Sequence, residues 1–306
     1  MISASLTRPP LPVRNGVSAS CVALPEGSWP TVADYLAHRF ARFPLEEWQT
    51  RMARGDVFDA SGKMLSPDCP YVSHRKIYYY RSLPPELPIP FEETVVYQDD
   101  WIVVADKPHF LPVVPSGRYL QETLLVRLKR KLGIETLVPM HRIDLDTAGL
   151  VLFTIQPKTR NAYQAMFRER AVDKHYEAIA PYRADLPLPS VITNRLREAA
   201  AFMQMQVTAG EPNAETHLTL LETQGALARY ALHPVTGQRH QLRVHMASLG
   251  LPIVNDRIYP HLYPELPLGQ TPDYDRPLKL LAKSIAFTDP ITGARRTFES
   301  KRCLTF

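Results

Sequence analysis

The 306-residue chain is 45% hydrophobic and 22% charged, which excludes a disordered protein, and its net charge of +5 favours an anionic partner. Its three cysteines, Cys21, Cys69 and Cys303, lie far apart without a Cys-x-x-Cys pair, which excludes a disulfide framework and a thiolate zinc site. The N-terminus carries no apolar signal segment and no apolar run could span a membrane, so we expect a cytoplasmic protein without membrane contact.

The N-terminal part of the chain predicts a small unit that a linker separates from the rest. We expect residues 1–30 to form an irregular arm and residues 31–83 to fold as one module. Four of the seven residues at 84–90 are prolines, which is typical of a linker. We therefore assign residues 91–306 to a second, larger domain.

Within the small module, apolar residues at helical spacing predict a helix that starts at Thr31 and ends before Pro44. A second short helix is predicted over Leu45–Met52, and Asp59–Gly62 reads as a turn between short strands. Two short helices followed by small strands resemble an S4-type RNA-binding module. A small capping module without RNA contact is the alternative.

Strand and helix patterns are mixed in the larger domain. Asp99–Asp100 separates two strand-like runs and predicts a hairpin. Gln121–Leu132 reads as an amphipathic helix that Gly133 ends, and a second helix is predicted over Lys158–Arg170. This mixture predicts an α+β fold with a mixed, mainly antiparallel sheet flanked by helices.

A charged segment at Met140–Gly149 runs into an apolar strand at Leu150–Phe153, and it holds two carboxylates, Asp144 and Asp146, close to Arg142. A loop that enters a buried strand is a common place for a catalytic group. A nearby cation keeps a carboxylate ionised, as a nucleophile must be. A structural Arg–Asp pair that stabilises a turn is the alternative.

The segment His141–Gly149 resembles the signature of the RluA family of pseudouridine synthases, usually HRLD followed by a TSG-like turn. Ile143, Ala148 and Leu281 depart from the usual Leu, Ser and His, and none of these changes removes a catalytic group. Five further segments resemble other motifs of the family, and all of them occur in the order that the family shows. They are Ala105–Gly117, Ala171–Tyr176, Thr236–His245, Gly250–Asp256 and Leu278–Pro290.

The resemblance implies a pseudouridine synthase fold and an isomerase that acts on structured ribosomal or transfer RNA. Such enzymes break the N1–C1′ bond of uridine, turn the uracil and rejoin it through C5, without a metal or redox cofactor. Asp144 is the implied essential carboxylate, which attacks either the ribose or the uracil ring. Arg243 is the implied cation beside it, and Tyr176 the implied active-site tyrosine. We expect a monomer that needs no protein partner.

The same motifs imply a set of RNA-contacting residues. Arg142 is the candidate to fill the gap that a flipped uridine leaves. We predict a helix over Arg239–Leu249, in which Arg239 and Arg243 share one face and hold an anion; two solvated arginines are the alternative. The remaining candidates are His141, Lys174, His240, Gln241 and Lys107.

Two other functions compete with RNA isomerisation. A non-catalytic RNA-binding protein could use the same fold, but it has no need of the intact set Asp144, Tyr176 and Arg243. A hydrolase is disfavoured because the sequence contains no GxSxG or HExxH motif. His240 and His245 are five residues apart, a poor spacing for two metal ligands on one helix, so we expect no metal site.

Overall fold

A computed structural model describes residues 11–81, 86–201, 203–267 and 269–306. The chain divides into two compact units, residues 1–85 and 86–306. Residues 1–10 of the predicted arm and 82–85, which include the first two prolines of the predicted linker, lie outside the described residues.

The smaller unit contains two helices and a three-stranded antiparallel sheet with the order β1-β3-β2. The first helix begins with a capping box, in which Thr31 and Asp34 satisfy each other's backbone amides. One strand lies in the segment that we expected to be an irregular arm, because its four residues are too few for a clear alternation. The elements are β1 (Ser20–Ala23), α1 (Val32–Arg39), α2 (Leu45–Ala53), β2 (Val57–Asp59) and β3 (Lys76–Tyr79).

This unit has a core of its own, built around the buried side chains of Leu36, Trp48 and Ile77. The predicted turn is present: the Asp59 carboxylate accepts hydrogen bonds from the backbone amides of Ser61 and Lys63. Both predicted helices are therefore formed, while the resemblance to an S4-type module stays a prediction.

The larger unit is built on one sheet of eleven strands. Nine follow one another in the order β10-β9-β11-β12-β8-β13-β7-β5-β4, β14 pairs with β13, and β6 pairs with β7. The elements are β4 (Thr94–Gln98), β5 (Ile102–Lys107), α3 (Leu124–Leu132), β6 (Val138–Pro139), β7 (Ala148–Thr154), α4 (Arg160–Arg168), β8 (Val172–Pro181), β9 (Val191–Glu198), β10 (Met205–Thr208), β11 (Ala214–Gln224), β12 (Leu227–Pro234), α5 (Gln241–Ser248), β13 (Leu280–Thr288) and β14 (Arg295–Glu299).

The mixed, mainly antiparallel sheet confirms the α+β prediction. The hairpin at Asp99 joins β4 and β5, and the Asp99 carboxylate accepts the amides of Trp101 and Ile102. Among the described strands, only β7 and β13 pair in parallel. One apolar cluster packs α3 against the β5 and β7 side of the sheet, and another packs α5 against β8 and β12.

Gly149 is required where β7 meets β13. It has a φ of +111°, and a Cβ atom added to it would lie 2.2 Å from the backbone oxygen of Ala282, its partner in the parallel pair. Strain at this φ and the backbone clash together exclude any side chain without movement of one strand. The parallel pairing therefore depends on a glycine at this position.

Replacing Gly149 by alanine is expected to lower the free energy of unfolding by about 3 kcal/mol, since overpacking adds to backbone strain. Gly225→Ala is the matched control, because Gly225 also has a positive φ (+59°) but has open space around it. The control should lose only about 1 kcal/mol. Denaturant unfolding measures both, and equal losses would show that the close approach to Ala282 is not limiting.

Candidate active site

Asp144 lies in the loop between β6 and β7. The loop is fixed at its C-terminal end by β7, a central strand whose seven residues are all buried. Its turn is closed by the Thr147 amide, which donates to the backbone oxygen of Asp144 at 3.2 Å. The Asp144 side chain is 27% exposed. A firmly held loop thus presents a carboxylate that solvent can reach.

Arg243 on α5 connects Asp144 to a second carboxylate. Its guanidinium is 2% exposed, and Nη1 lies 3.2 Å from Oδ2 of Asp144. Nε and Nη2 donate to the two carboxylate oxygens of Asp256 at 2.8 and 2.7 Å. This bidentate pair fixes the plane of the guanidinium and leaves Nη1 for Asp144. Asp256 ends the Gly250–Asp256 motif but is not among the predicted site residues. An acidic residue inside a family motif is the signal that could have identified it.

The charge of Arg243 decides the ionisation of Asp144. Burial raises the pKa of Asp144, but the charge of Arg243 is the largest of several effects that lower it, so that the net pKa lies below its ordinary value. Burial raises the pKa of the neighbouring Asp146, and the charge of Asp144 adds to this effect. The pKa values of the two carboxyl groups of the loop therefore shift in opposite directions, and the pKa of Asp144 is the lowered one.

Tyr176 lies on β8, where it pairs with Leu232 of β12 and Ala282 of β13. Its ring packs against the apolar cluster beneath α5. Burial and the negative charge of Asp144 raise its pKa above the ordinary value of a phenol. Tyr176 is therefore a neutral phenol at neutral pH, suited to stacking and to donating a hydrogen bond.

His240 and Tyr259 extend this group of residues. Nε2 of His240 lies 3.9 Å from Oδ1 of Asp144, and Nδ1 lies 3.0 Å from the Tyr259 hydroxyl. The same hydroxyl accepts the backbone amide of Met205 at 2.6 Å. His240 has a φ of +53°, a left-handed conformation that is uncommon outside glycine. His240 is among the predicted RNA-binding residues, whereas Tyr259 lies outside the motifs.

The structure corrects the expected RNA contacts of Lys107 and Gln241. Lys107 is buried, and its ammonium donates to the backbone oxygens of Pro108, Leu111 and Leu145 at 2.6 to 3.0 Å. All three of its N–H groups are used inside the protein. One of its acceptors, Leu145, follows Asp144, so Lys107 holds the Asp144 loop.

The Gln241 side chain is equally committed to the protein interior. Its amide oxygen accepts from the Thr236 hydroxyl at 2.7 Å and from the Gln238 amide at 3.0 Å. Its amide nitrogen donates to the backbone oxygen of Glu215 and to the Thr216 hydroxyl, both at 2.9 Å. Gln241 therefore fixes the start of α5 and has no group left for RNA.

The prediction that Arg239 and Arg243 share a helix face is wrong. The helix begins at Gln241, and the left-handed conformation of His240 separates it from Arg239. Arg239 lies 3.8 Å from a carboxylate oxygen of Glu198 and donates to the backbone oxygen of Met203. The two arginines thus serve different carboxylates.

The three remaining RNA-binding candidates, Arg142, Lys174 and His141, have different surroundings. Arg142 is exposed, two residues before Asp144. Lys174 donates to the backbone oxygen of Thr236 at 3.4 Å. His141 accepts the Leu152 amide on Nε2 at 3.0 Å, and burial lowers its pKa to about 3, so it is neutral and fixed beneath the loop.

The part of the chain that the structure describes contains no group of three or more His, Cys, Asp or Glu residues that could hold a metal ion. None of its helices is long and apolar enough to cross a membrane.

The RNA pseudouridylate synthase family matches residues 101–248. The dual-specificity RNA pseudouridine synthase RluA of Haemophilus influenzae is 32% identical over 68% of this chain and 92% of that protein. The mitochondrial tRNA pseudouridine(32) synthase of Saccharomyces cerevisiae is 33% identical over 59% of this chain and 39% of that protein. The solved structure of human RNA pseudouridylate synthase domain containing 4 has a TM-score of 0.51 and 26% identity, over 68% of this chain and 87% of that one. The family match includes Asp144, Tyr176 and Arg243.

Proposed function

Because the chain belongs to the RluA-type family of RNA pseudouridine synthases, which are isomerases, we propose that Asp144 is the nucleophile with which it isomerises uridine. The observation that carries this proposal is that Arg243 binds two carboxylates, Asp256 and Asp144, by different numbers of hydrogen bonds. Two of its nitrogens are bound to Asp256, and a single N–H at 3.2 Å holds Asp144. A carboxylate bound on one oxygen is ionised yet keeps its other oxygen for attack.

The reaction moves one bond and one proton without net redox change. A carboxylate oxygen of Asp144 attacks either the ribose or the uracil ring, and the N1–C1′ bond breaks. After the uracil has turned, a C5–C1′ bond forms, the bond to Asp144 is released, C5 loses its proton and N1 gains one. A neutral Tyr176 supports stacking on the uracil and hydrogen bonding during this turn.

We propose that the substrates are specific uridines in structured ribosomal or transfer RNA. The related proteins support this class by their names, one as a dual-specificity RNA enzyme and one as a tRNA enzyme. A uridine in folded RNA must leave its stack to reach Asp144. We propose that the planar side chain of Arg142, which is exposed, fills the resulting gap, and that Lys174 supplies a further positive charge.

We also propose how the enzyme is organised in the cell. Residues 31–83 form an S4-like module that adds RNA affinity to the catalytic domain at 91–306, with residues 84–90 as the linker. The enzyme works in the cytoplasm as a monomer, without a protein partner or a cofactor.

Pseudouridine mapping of total RNA tests the proposed function and identifies the substrate. Cells that lack the gene are compared with cells complemented by the wild-type gene or by the Asp144→Asn variant. We expect at least one pseudouridine to be lost in the knockout and restored by the wild type alone. Restoration by Asp144→Asn as well would overturn the assignment of the nucleophile.

A further inference from the structure

Nε2 of His240 lies near Oδ1 of Asp144, the carboxylate oxygen that Arg243 does not bind, and Nδ1 contacts the hydroxyl of Tyr259. We propose that His240 donates a hydrogen bond from Nε2 to an oxygen of the target uridine, and that Tyr259 fixes the ring tautomer that makes this possible. The proposal rests on the proposed role of Asp144 as the reacting carboxylate. It makes His240 a catalytic residue and Tyr259 a positioning residue.

The hydrogen bonds of the Tyr259 hydroxyl determine the tautomer. This oxygen accepts the Met205 amide at 2.6 Å, and burial raises the pKa of Tyr259, so the phenol keeps its proton. Nδ1 of His240, at 3.0 Å, is the acceptor for that proton. If Nδ1 carried a hydrogen instead, the phenolic proton would have no acceptor among the contacts of the described residues. Satisfying the buried hydroxyl therefore places the ring proton on Nε2.

The charge state of His240 agrees with a single donor. Burial lowers its pKa and the nearby Arg243 lowers it further, against the opposing effect of Asp144, and the net pKa lies below the ordinary value of an imidazole. At neutral pH the ring is therefore neutral. It carries one N–H, and Tyr259 directs that group towards Asp144.

The distance from His240 to Asp144 leaves the Nε2–H group without a hydrogen bond to the carboxylate. Nε2 and Oδ1 are 3.9 Å apart, which is too long for a hydrogen bond between them. The second carboxylate oxygen, Oδ2, is the one bound to Arg243. An oxygen of the uridine that enters beside the attacking Oδ1 meets the Nε2–H group of His240.

The backbone of His240 shows that its position is enforced. The residue has a φ of +53°, and the next residue, Gln241, anchors the start of α5 through four hydrogen bonds. A strained conformation that persists only because its surroundings hold it is common at functional positions.

The tautomer can be read directly by nitrogen NMR of the full chain with labelled histidine. The His240 signals are assigned by their loss in His240→Gln. At neutral pH we expect a pyridine-type Nδ1 and a protonated, pyrrole-type Nε2, and Tyr259→Phe should reduce the population of this form. A protonated Nδ1 or an imidazolium in the wild type would overturn the proposal, whatever the activity of Asp144→Asn.

Single-turnover kinetics tests the role of the donor. The substrate is a transcript that carries the uridine identified by mapping. His240→Leu should slow isomerisation about tenfold, the effect of one lost hydrogen bond, with KM nearly unchanged. His240→Gln keeps an N–H near the position of Nε2 and should retain most of the rate. Equal rates in the two variants, high or low, would overturn the donor role, whereas a fully active Asp144→Asn would instead overturn the proposed nucleophile.

Discussion

Asp144→Asn is expected to lower the single-turnover rate of uridine isomerisation by about four orders of magnitude or more, the effect of removing an enzyme's nucleophile. The amide has nearly the same shape as the carboxylate but cannot attack carbon. Arg243 keeps its bidentate pair with Asp256, so the site should remain folded. The measurement is pseudouridine formed in purified RNA at saturating enzyme.

RNA affinity provides the control for this variant. Phosphate contacts dominate the binding of RNA-binding proteins, and an anionic carboxylate is not a ligand for phosphate, so the Kd should stay within about threefold of the wild type. An inactive variant that binds RNA normally identifies a chemical role for Asp144. A variant with wild-type turnover would show that a different group is the nucleophile.

Arg243→Met is expected to disturb both stability and chemistry. Asp256 is almost fully buried, and without its partner the protein should lose about 3–5 kcal/mol of unfolding free energy, because an uncompensated charge remains inside. The rate at neutral pH should fall about 100-fold or more, since the carboxylate loses the cation that orients it.

The pH dependence of this variant separates the two effects. In the wild type Arg243 holds the pKa of Asp144 below its ordinary value, so the carboxylate is ionised throughout the neutral range. Without Arg243 the largest effect that lowers this pKa is lost, so we expect the opposing effect of burial to raise it. Activity depends on the anion, so the acid limb of kcat should move to higher pH and activity should be lost as the pH falls through the raised pKa.

Two further variants complete the experiment. The double variant Arg243→Met with Asp256→Asn removes the buried charge and should recover most of the lost stability while keeping the shifted acid limb. Arg168→Met removes an exposed arginine and should leave the limb unchanged. An acid limb that stays at its wild-type position in the double variant would refute the electrostatic role of Arg243.

Local sequence signals predicted much of the fold. The turn at Asp99 and the helix that Gly133 ends are formed by short-range rules, so the sequence identifies them. The parallel pairing of β7 with β13 joins residues more than a hundred positions apart, and no local pattern signals it. Strand β1 was missed because it is short and gains its pairing only from β3.

The motifs predicted well which residues lie together at the site. They predicted less well the role of each residue. Asp144 and Arg243 come from distant segments and are in contact, as the resemblance implied. Lys107 and Gln241 were assigned to RNA because a motif match cannot distinguish a side chain that binds substrate from one that binds its own backbone. The role of Asp256 was not predicted, because its partner Arg243 lies on α5 and only the folded structure brings the two side chains together.

The parallel seam between β7 and β13 also bears on when activity begins during synthesis. Asp144 precedes β7, whereas Tyr176 lies on β8, on the other side of β13, and Arg243 lies on α5, which packs against β8 and β12. The two parts are joined by the pairs Leu281–Ala148 and Ala282–Gly149. Asp144, Tyr176 and Arg243 all leave the ribosome before β13 does. A nascent chain at that stage contains the three side chains but lacks the strand that brings them together. We therefore expect a nascent chain to be inactive until β13 has left the ribosome.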